Sequence, residues 1–141
     1  MSASLVGSEM CIRDRDYSDY VEIARNAGAG ETLDRIIPEI YNEAMFPGTA
    51  MLYSFPSYVY SLWQEYSVEE LEYIASFCKE KGIPAATVYW EYWSEETEKI
   101  FEKNGISLYV YTVNDRDQAR RYISQGAEGI CTDFLTAEDL W

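Results

Sequence analysis

The 141-residue sequence contains no histidine. Imidazole is thereby excluded as a general acid, a general base or a metal ligand. Basic residues are scarce as well: 11 Lys and Arg stand against 25 Asp and Glu, a net charge of −14. Nucleic-acid phosphates and anionic membrane surfaces repel such a chain, so neither is an expected partner. No apolar run approaches the ~18 residues of a membrane helix. No basic start precedes an apolar stretch, so there is no signal-peptide layout, and a cytoplasmic location is favoured. The three cysteines, Cys11, Cys78 and Cys131, are far apart and odd in number. They match no metal or redox spacing, and buried free thiols are expected. Gly28-Ala29-Gly30 is read as a loop, because no lysine follows to make a phosphate cradle.

Aromatic residues are plentiful at 16%, including thirteen tyrosines and four tryptophans. The core should therefore contain amphipathic rings whose hydroxyl or indole N–H needs a partner. Met1 to Arg15 fits nothing after it. It reads as a non-native leader of the kind left by sequencing-adapter read-through, which implies a natural protein that began further upstream. The domain expected is 16–141.

From Asp16 a regular alternation follows. Tyr17, Tyr20, Val21, Ile23 and Ala24 have helical spacing. Arg35–Tyr41 reads as a strand that Pro38 confines to an edge. Asn42–Gly48 begins as a helix and should break at Pro47-Gly48. Tyr58–Trp63 is the second strand. Ser67-Val-Glu-Glu70 is a capping box, with Leu71, Ile74, Ala75 and Cys78 as the buried stripe and Gly82 as the stop. Ala85–Trp90 is the third strand, and Ser94 caps a helix ending at Asn104-Gly105. Leu108–Val113 is the fourth strand. Asp115 and Gln118 start a helix that Gly126 ends. Gly129–Thr132 is a short fifth strand, and Thr136 caps a last turn.

Alternating strands and helices imply parallel pairing with right-handed crossovers. Nearly continuous apolar strands fit a sheet covered on both faces. An open doubly wound sheet would show a glycine-rich first turn, and none is present. A (β/α)8 barrel needs roughly 250 residues, and the roughly 126 from Asp16 hold about four βα units. The fold class expected is α/β, the carboxy-terminal half of a TIM (β/α)8 barrel.

Residues 108–134 carry a more specific pattern. Leu-Tyr-Val-Tyr-Thr-Val-Asn-Asp, a helix, and Gly-Ala-Glu-Gly-Ile-Cys-Thr-Asp-Phe resemble the carboxy-terminal signature of glycerophosphodiester phosphodiesterases. That signature has an aromatic-Thr-Val-Asn strand and Gly-Val-Asp-Gly-Ile-x-Thr-Asp. Tyr111 stands where tryptophan is commonest, and Ala127-Glu128 replace Val-Asp. Arg35–Asn42 is similar to a Pro-Gln-Ile-Tyr strand of bacterial members, with Glu39 in place of glutamine. The resemblance implies hydrolysis of glycerophosphodiesters to an alcohol and glycerol 3-phosphate, with calcium or magnesium as cofactor. The His-Arg pair, the Glu-x-Asp metal site and the further histidine of that family have no counterpart here. The resemblance therefore implies strands five to eight of a cut enzyme, inactive and binding no metal alone. A relative of phosphatidylinositol-specific phospholipases is a third, weaker reading.

Barrel sites form at the carboxy ends of the strands. Those ends supply Glu39 and Tyr41, Trp63 and Gln64, Tyr89 to Glu91, Tyr111 and Asn114, and Thr132-Asp133. Rings against C–H faces and amides to hydroxyls would suit a polyol. The substrate-binding candidates are Tyr111, Asn114, Glu39, Gln64 and Tyr89. Each has a plainer alternative. Tyr111 can be barrel-core packing, Asn114 an Asx turn, and Asp133 a structural carboxylate bonding nearby backbone amides. Glu39 could reach a metal. Trp90 and Trp93 are read as packing. Arg116 is the nearest cation, so the charge that binds a phosphodiester must come from elsewhere. A half-barrel also leaves two unpaired edges, near Arg35–Tyr41 and Gly129–Thr132. These give an alternative reading as a non-catalytic module that self-associates.

Overall fold

The computed structural model describes residues 17–141. The leader Met1–Arg15, Cys11 and Asp16 lie outside the described residues. Helix α1 (Tyr17–Asn26) is followed by a 3-10 helix, Gly30–Arg35. The repeat then runs β1 (Glu39–Ile40), α2 (Met45–Leu52), β2 (Val59–Leu62), α3 (Val68–Lys81), β3 (Ala85–Tyr89) and a 3-10 turn (Trp90–Tyr92). It continues through α4 (Glu95–Lys103), β4 (Ser107–Tyr111), α5 (Arg116–Ser124), β5 (Gly129–Ile130) and α6 (Ala137–Leu140).

The five strands form one parallel sheet in the order β1-β2-β3-β4-β5. Sequential order is what a barrel wall requires, whereas a doubly wound sheet reverses direction at its switch point. The element sequence and strand order are those of a partial (β/α)8 barrel, as the alternation predicts.

Two stretches differ from the sequence-based expectation. The first predicted strand shrinks to Glu39–Ile40; its first residue, Arg35, ends the 3-10 helix, and residues 36–38 are irregular. Pro38 is still at a sheet edge, where its carbonyl accepts from Val59 N at 3.0 Å. Helix α2 does not break at Pro47-Gly48 but runs on to Leu52. Pro47 is its third residue, within the first turn, where the missing N–H would have had no intrahelical acceptor.

Helix α3 forms as its caps dictate. Ser67 Oγ accepts from Glu70 N at 3.3 Å, and Glu70 Oε2 accepts from Ser67 N at 2.7 Å. The chain leaves the helix through Gly82 at φ 69°, a left-handed conformation costly for any residue with a Cβ. Leu71, Ile74, Ala75 and Cys78 face inward and are buried. They join Phe101 of α4, Ala119 and Tyr122 of α5 and the outward strand residues in one apolar layer. Cys78 and Cys131 are both buried, as expected, and burial pushes the Cys78 thiol up to about 12.

The other sheet face carries a second, smaller cluster of Tyr109, Tyr111 and Cys131, with Ala85 and Tyr89 against it. Alternation along the strands separates it from Leu108 and Val110 on the helix side. Helix α1 is tied to the sheet edge by one hydroxyl: Tyr17 OH accepts from Glu39 N at 2.7 Å and donates to Glu39 O at 3.2 Å.

Helix α6 packs Leu140 against the apolar core and is tied at the surface by Asp139. Asp139 accepts from Thr136 N at 2.9 Å and pairs with Arg116. The Thr136 N–H and the Arg116 guanidinium hold its carboxyl below the usual range. A depressed carboxylate stabilises above its unfolded pKa, and that support is lost as pH falls through the folded value. Acidification should therefore release α6 before the main sheet. Amide exchange across Ala137–Leu140 checks this, and rates that stay flat from neutral to acid pH would refute it.

Candidate active-site rim

The carboxy ends of the strands reach one level. Leu62 lies beside Val88, Val88 beside Val110, and Tyr89 beside Tyr111. Beyond those ends the chain turns outward and leaves its rings behind. Tyr89 is the hub, with its centroid 5.7 Å from that of Tyr111 and 5.8 Å from that of Tyr92. With Trp63 and Thr112 these three tyrosines line an open cleft of about 370 Å³. Its walls are aromatic, and its polar groups are hydroxyls.

Tyr111 packs and lines the cleft at once. It is buried in the inner-face cluster and still lines the cleft. Its hydroxyl donates to Leu62 O at 3.4 Å and accepts from Ser61 Oγ at 3.5 Å, both long for a hydroxyl bond. Tyr89 lies at the cleft centre. Gln64 is exposed and lines the two neighbouring clefts instead.

Asn114 is a clip. Its Oδ1 accepts from Thr132 Oγ1 at 2.9 Å and from Asp133 N at 3.0 Å, and its Nδ2 donates to Asp133 Oδ2 at 2.8 Å. These bonds tie the loop after β4 to the loop after β5. Asp133 is structural as expected, but its partner is a side-chain amide. Asn114→Ala should cost about 0.5–1.5 kcal/mol, the usual net worth of a hydrogen bond, because water can reach the exposed groups left behind. The denaturation midpoint measures it, and a midpoint equal to the parent's would dismiss the clip.

Glu39 lies apart from the others. It pairs in register with Val59, the first residue of β2, and so sits at the amino level of the sheet. Reading it as a strand-end residue overlooked that β1 is only two residues long. The chain passes on through Tyr41 and Asn42 before reaching the rim. Arg116 is committed to Asp139, and the neighbouring Arg120 Nε donates to Asp139 O at 2.9 Å. Trp93 packs as expected, 5.9 Å from Tyr122, with its indole N–H on Gln125 Oε1 at 3.1 Å.

The sequence reading missed Tyr92 and Thr112. Both follow strand ends, and neither periodicity nor capping marks them. Trp-Glu-Tyr after β3 becomes a 3-10 turn that folds Tyr92 back over Tyr89.

Among the described residues no three carboxylate, thiol or imidazole groups converge on one point. The calcium or magnesium ion that the resemblance implies does not find its donor set in residues 17–141. No helix of these residues is long and apolar enough to cross a membrane.

A search of curated proteins finds no match. Among solved structures, the chain is similar to a protein assigned as a glycerophosphoryl diester phosphodiesterase from Silicibacter pomeroyi DSS-3, with a TM-score of 0.65 at 15% identity. The likeness covers 89% of this chain and 44% of that one, so the chain spans less than half of the structure it matches. At that identity the likeness speaks for the fold. The profile of the Glycerophosphoryl diester phosphodiesterase family matches residues 49–137, which take in β2 to β5 and the Asn114 clip. The match extends over more than half of the sequence, and the chain belongs to the glycerophosphoryl diester phosphodiesterase family.

Proposed function

We propose that residues 16–141 are the carboxy-terminal part of a glycerophosphodiester-hydrolysing barrel, and that they supply the wall of its site that receives the polyol. The observation that carries this reading is the aromatic cleft of Trp63, Tyr89, Tyr92 and Tyr111 at the carboxy ends of three adjacent strands. Flat rings suit the C–H faces of a glycerol unit, and hydroxyls at the edge suit its oxygens. The cleft offers no cation, and the chain offers no histidine. Binding and cleaving a phosphodiester needs both positive charge and proton transfer. On this reading those come from barrel strands other than the five here, together with a divalent metal.

The 141-residue chain should therefore turn over no glycerophosphocholine with calcium or magnesium present. Release of glycerol 3-phosphate above blank, by a coupled assay, would overturn the division of labour. Supplying family strands that bear a His-Arg pair and a Glu-x-Asp site should restore turnover. Tyr111→Ala should then lower it at least about tenfold, the equivalent of 1.4 kcal/mol of lost transition-state binding.

A second reading is a non-catalytic half-barrel that pairs with itself. It is favoured by the open sheet, whose edges β1 and β5 are both uncapped by a further strand among the described residues. Sedimentation separates the two readings, since a folded monomer at micromolar concentration counts against self-association.

A further inference from the structure

Helix α4 ends on Asn104-Gly105, the only Asn-Gly pair in the sequence. The pair lies at the opposite end of β4 from the aromatic cleft. Asparagine is a thermolabile residue, and a following glycine makes it most so. The backbone nitrogen of the next residue attacks the side-chain carbonyl carbon, and a residue without a Cβ leaves that approach open. The new N–C bond closes a succinimide ring. The side-chain nitrogen leaves as ammonia, with a proton in place of the one that the backbone nitrogen gives up. Water then opens the ring at either carbonyl, which yields aspartate or isoaspartate. Water and base are the only co-reactants. Gly105 is exposed to both, and a Cβ built on it would meet no atom within 4 Å.

In the folded chain the reacting atoms are held apart. Asn104 Nδ2 donates to Ile100 O at 2.9 Å, which lays the side chain back along the helix. Gly105 N, the attacking atom, donates to Glu102 O at 2.9 Å. At ψ 2° for Asn104, that nitrogen is eclipsed with the Asn104 nitrogen and turned away from the Cβ side on which the ring must close. Asn104 N and Ile106 N both donate to Phe101 O at 3.0 Å and fix the chain on either side. Ring closure therefore requires the last turn of α4 to open.

We propose that Asn104-Gly105 is a self-modification site gated by the last turn of α4: the amide is lost when the turn opens, and the product keeps it open. A carboxylate at position 104 cannot donate to Ile100 O, and it adds negative charge at the negative end of the helix dipole. Isoaspartate also lengthens the main chain by one atom, which shifts Gly105 and Ile106 away from Glu102 O and Phe101 O. Phe101 belongs to the core, so the damage reaches the packing of α4 on the sheet. The other asparagines, Asn26, Asn42 and Asn114, precede Ala27, Glu43 and Asp115, whose side chains hinder the attack.

The test incubates the full 141-residue chain at mildly alkaline pH, in buffer and in urea, and follows each asparagine by peptide mass spectrometry. In urea Asn104 should convert ahead of Asn26, Asn42 and Asn114. In buffer its rate should fall at least about tenfold, because the open turn is a minor population. The slowing should match the exchange protection of the Gly105 amide, since one opening frees both. Phe101→Leu, three residues from the reacting pair, should raise the buffer rate and leave the urea rate unchanged. Asn104→Gln, whose longer side chain cyclises far more slowly, should abolish the change. The deamidated chain, separated on ion exchange by its extra negative charge, should exchange the Ile106 amide faster than the parent. First conversion at another asparagine overturns the site. Equal rates in buffer and urea overturn the gate, as does a Gly105 amide that exchanges as fast in buffer as in urea.

Discussion

Phe101→Ala is expected to remove about 3–5 kcal/mol of stability, the usual cost of emptying a buried aromatic site. Phe101 has no exposed surface and sits in the apolar layer between sheet and helices. Helix α4 is short, and its buried face consists of Thr97 and Phe101. The ring therefore carries most of what holds α4 to the sheet. A domain of this size has about 5–15 kcal/mol in total. The variant should melt some 10–20 °C below the parent, or fail to fold cooperatively. Phe101→Leu keeps most of the apolar volume and should lose clearly less. Thermal unfolding followed by circular dichroism decides the matter. An alanine variant melting within a few degrees of the parent would mean that α4 is held by something else.

Gly129→Val should be nearly as damaging, for the opposite reason. A Cβ at Gly129 would stand 2.8 Å from Cδ1 and Cε1 of the Tyr109 ring, closer than real side chains approach. Gly129 and Tyr109 are register partners in β5 and β4. Tyr109 is 6% exposed and packed with Tyr111 and Cys131, so its ring has little room to swing away. Overpacking of this kind costs about 1–3 kcal/mol. Because β5 pairs through only two residues, the cost should appear as loss of β5 and of the clip from Asn114 to Asp133. Amide exchange at Ile130 and Cys131 should accelerate well beyond that at Val88. The double variant Gly129→Val with Tyr109→Ala should recover part of the loss, since the clash is then gone. If valine is tolerated with protection of Ile130 intact, the sheet yields more easily than the close approach indicates.

The two substitutions illustrate different degrees of legibility. Phe101 follows a serine cap at helical spacing, so its inward face is evident from the sequence. Gly129 reads as a strand start, and nothing local to it signals a ring 20 residues away pressing on its Cα. The same division runs through the rim. Tyr89 and Tyr111 end their strands and Gln64 follows the end of β2, and apolar runs locate those ends well. Glu39 was misplaced because a proline-bearing edge strand contributes so few ladder pairs that its register cannot be read locally. Asn114 looked equally suited to ligand or turn. Its three bonds to Thr132 and Asp133 span 18 and 19 residues and exist only when β4 and β5 lie side by side.

What the sequence alone determined is the alternation, the caps, the parallel α/β class, the family and the lack of imidazole. Each of these is a property of local spacing or of composition, and neither depends on how distant segments meet. The tertiary structure decided that Tyr92 folds over Tyr89, that Asn114 is a clip, and that Arg116 is spent on Asp139. Those outcomes require the sheet order and strand register, which bring side chains together from different βα units. Register is fixed by packing across whole faces, and no single stretch of the chain contains that information.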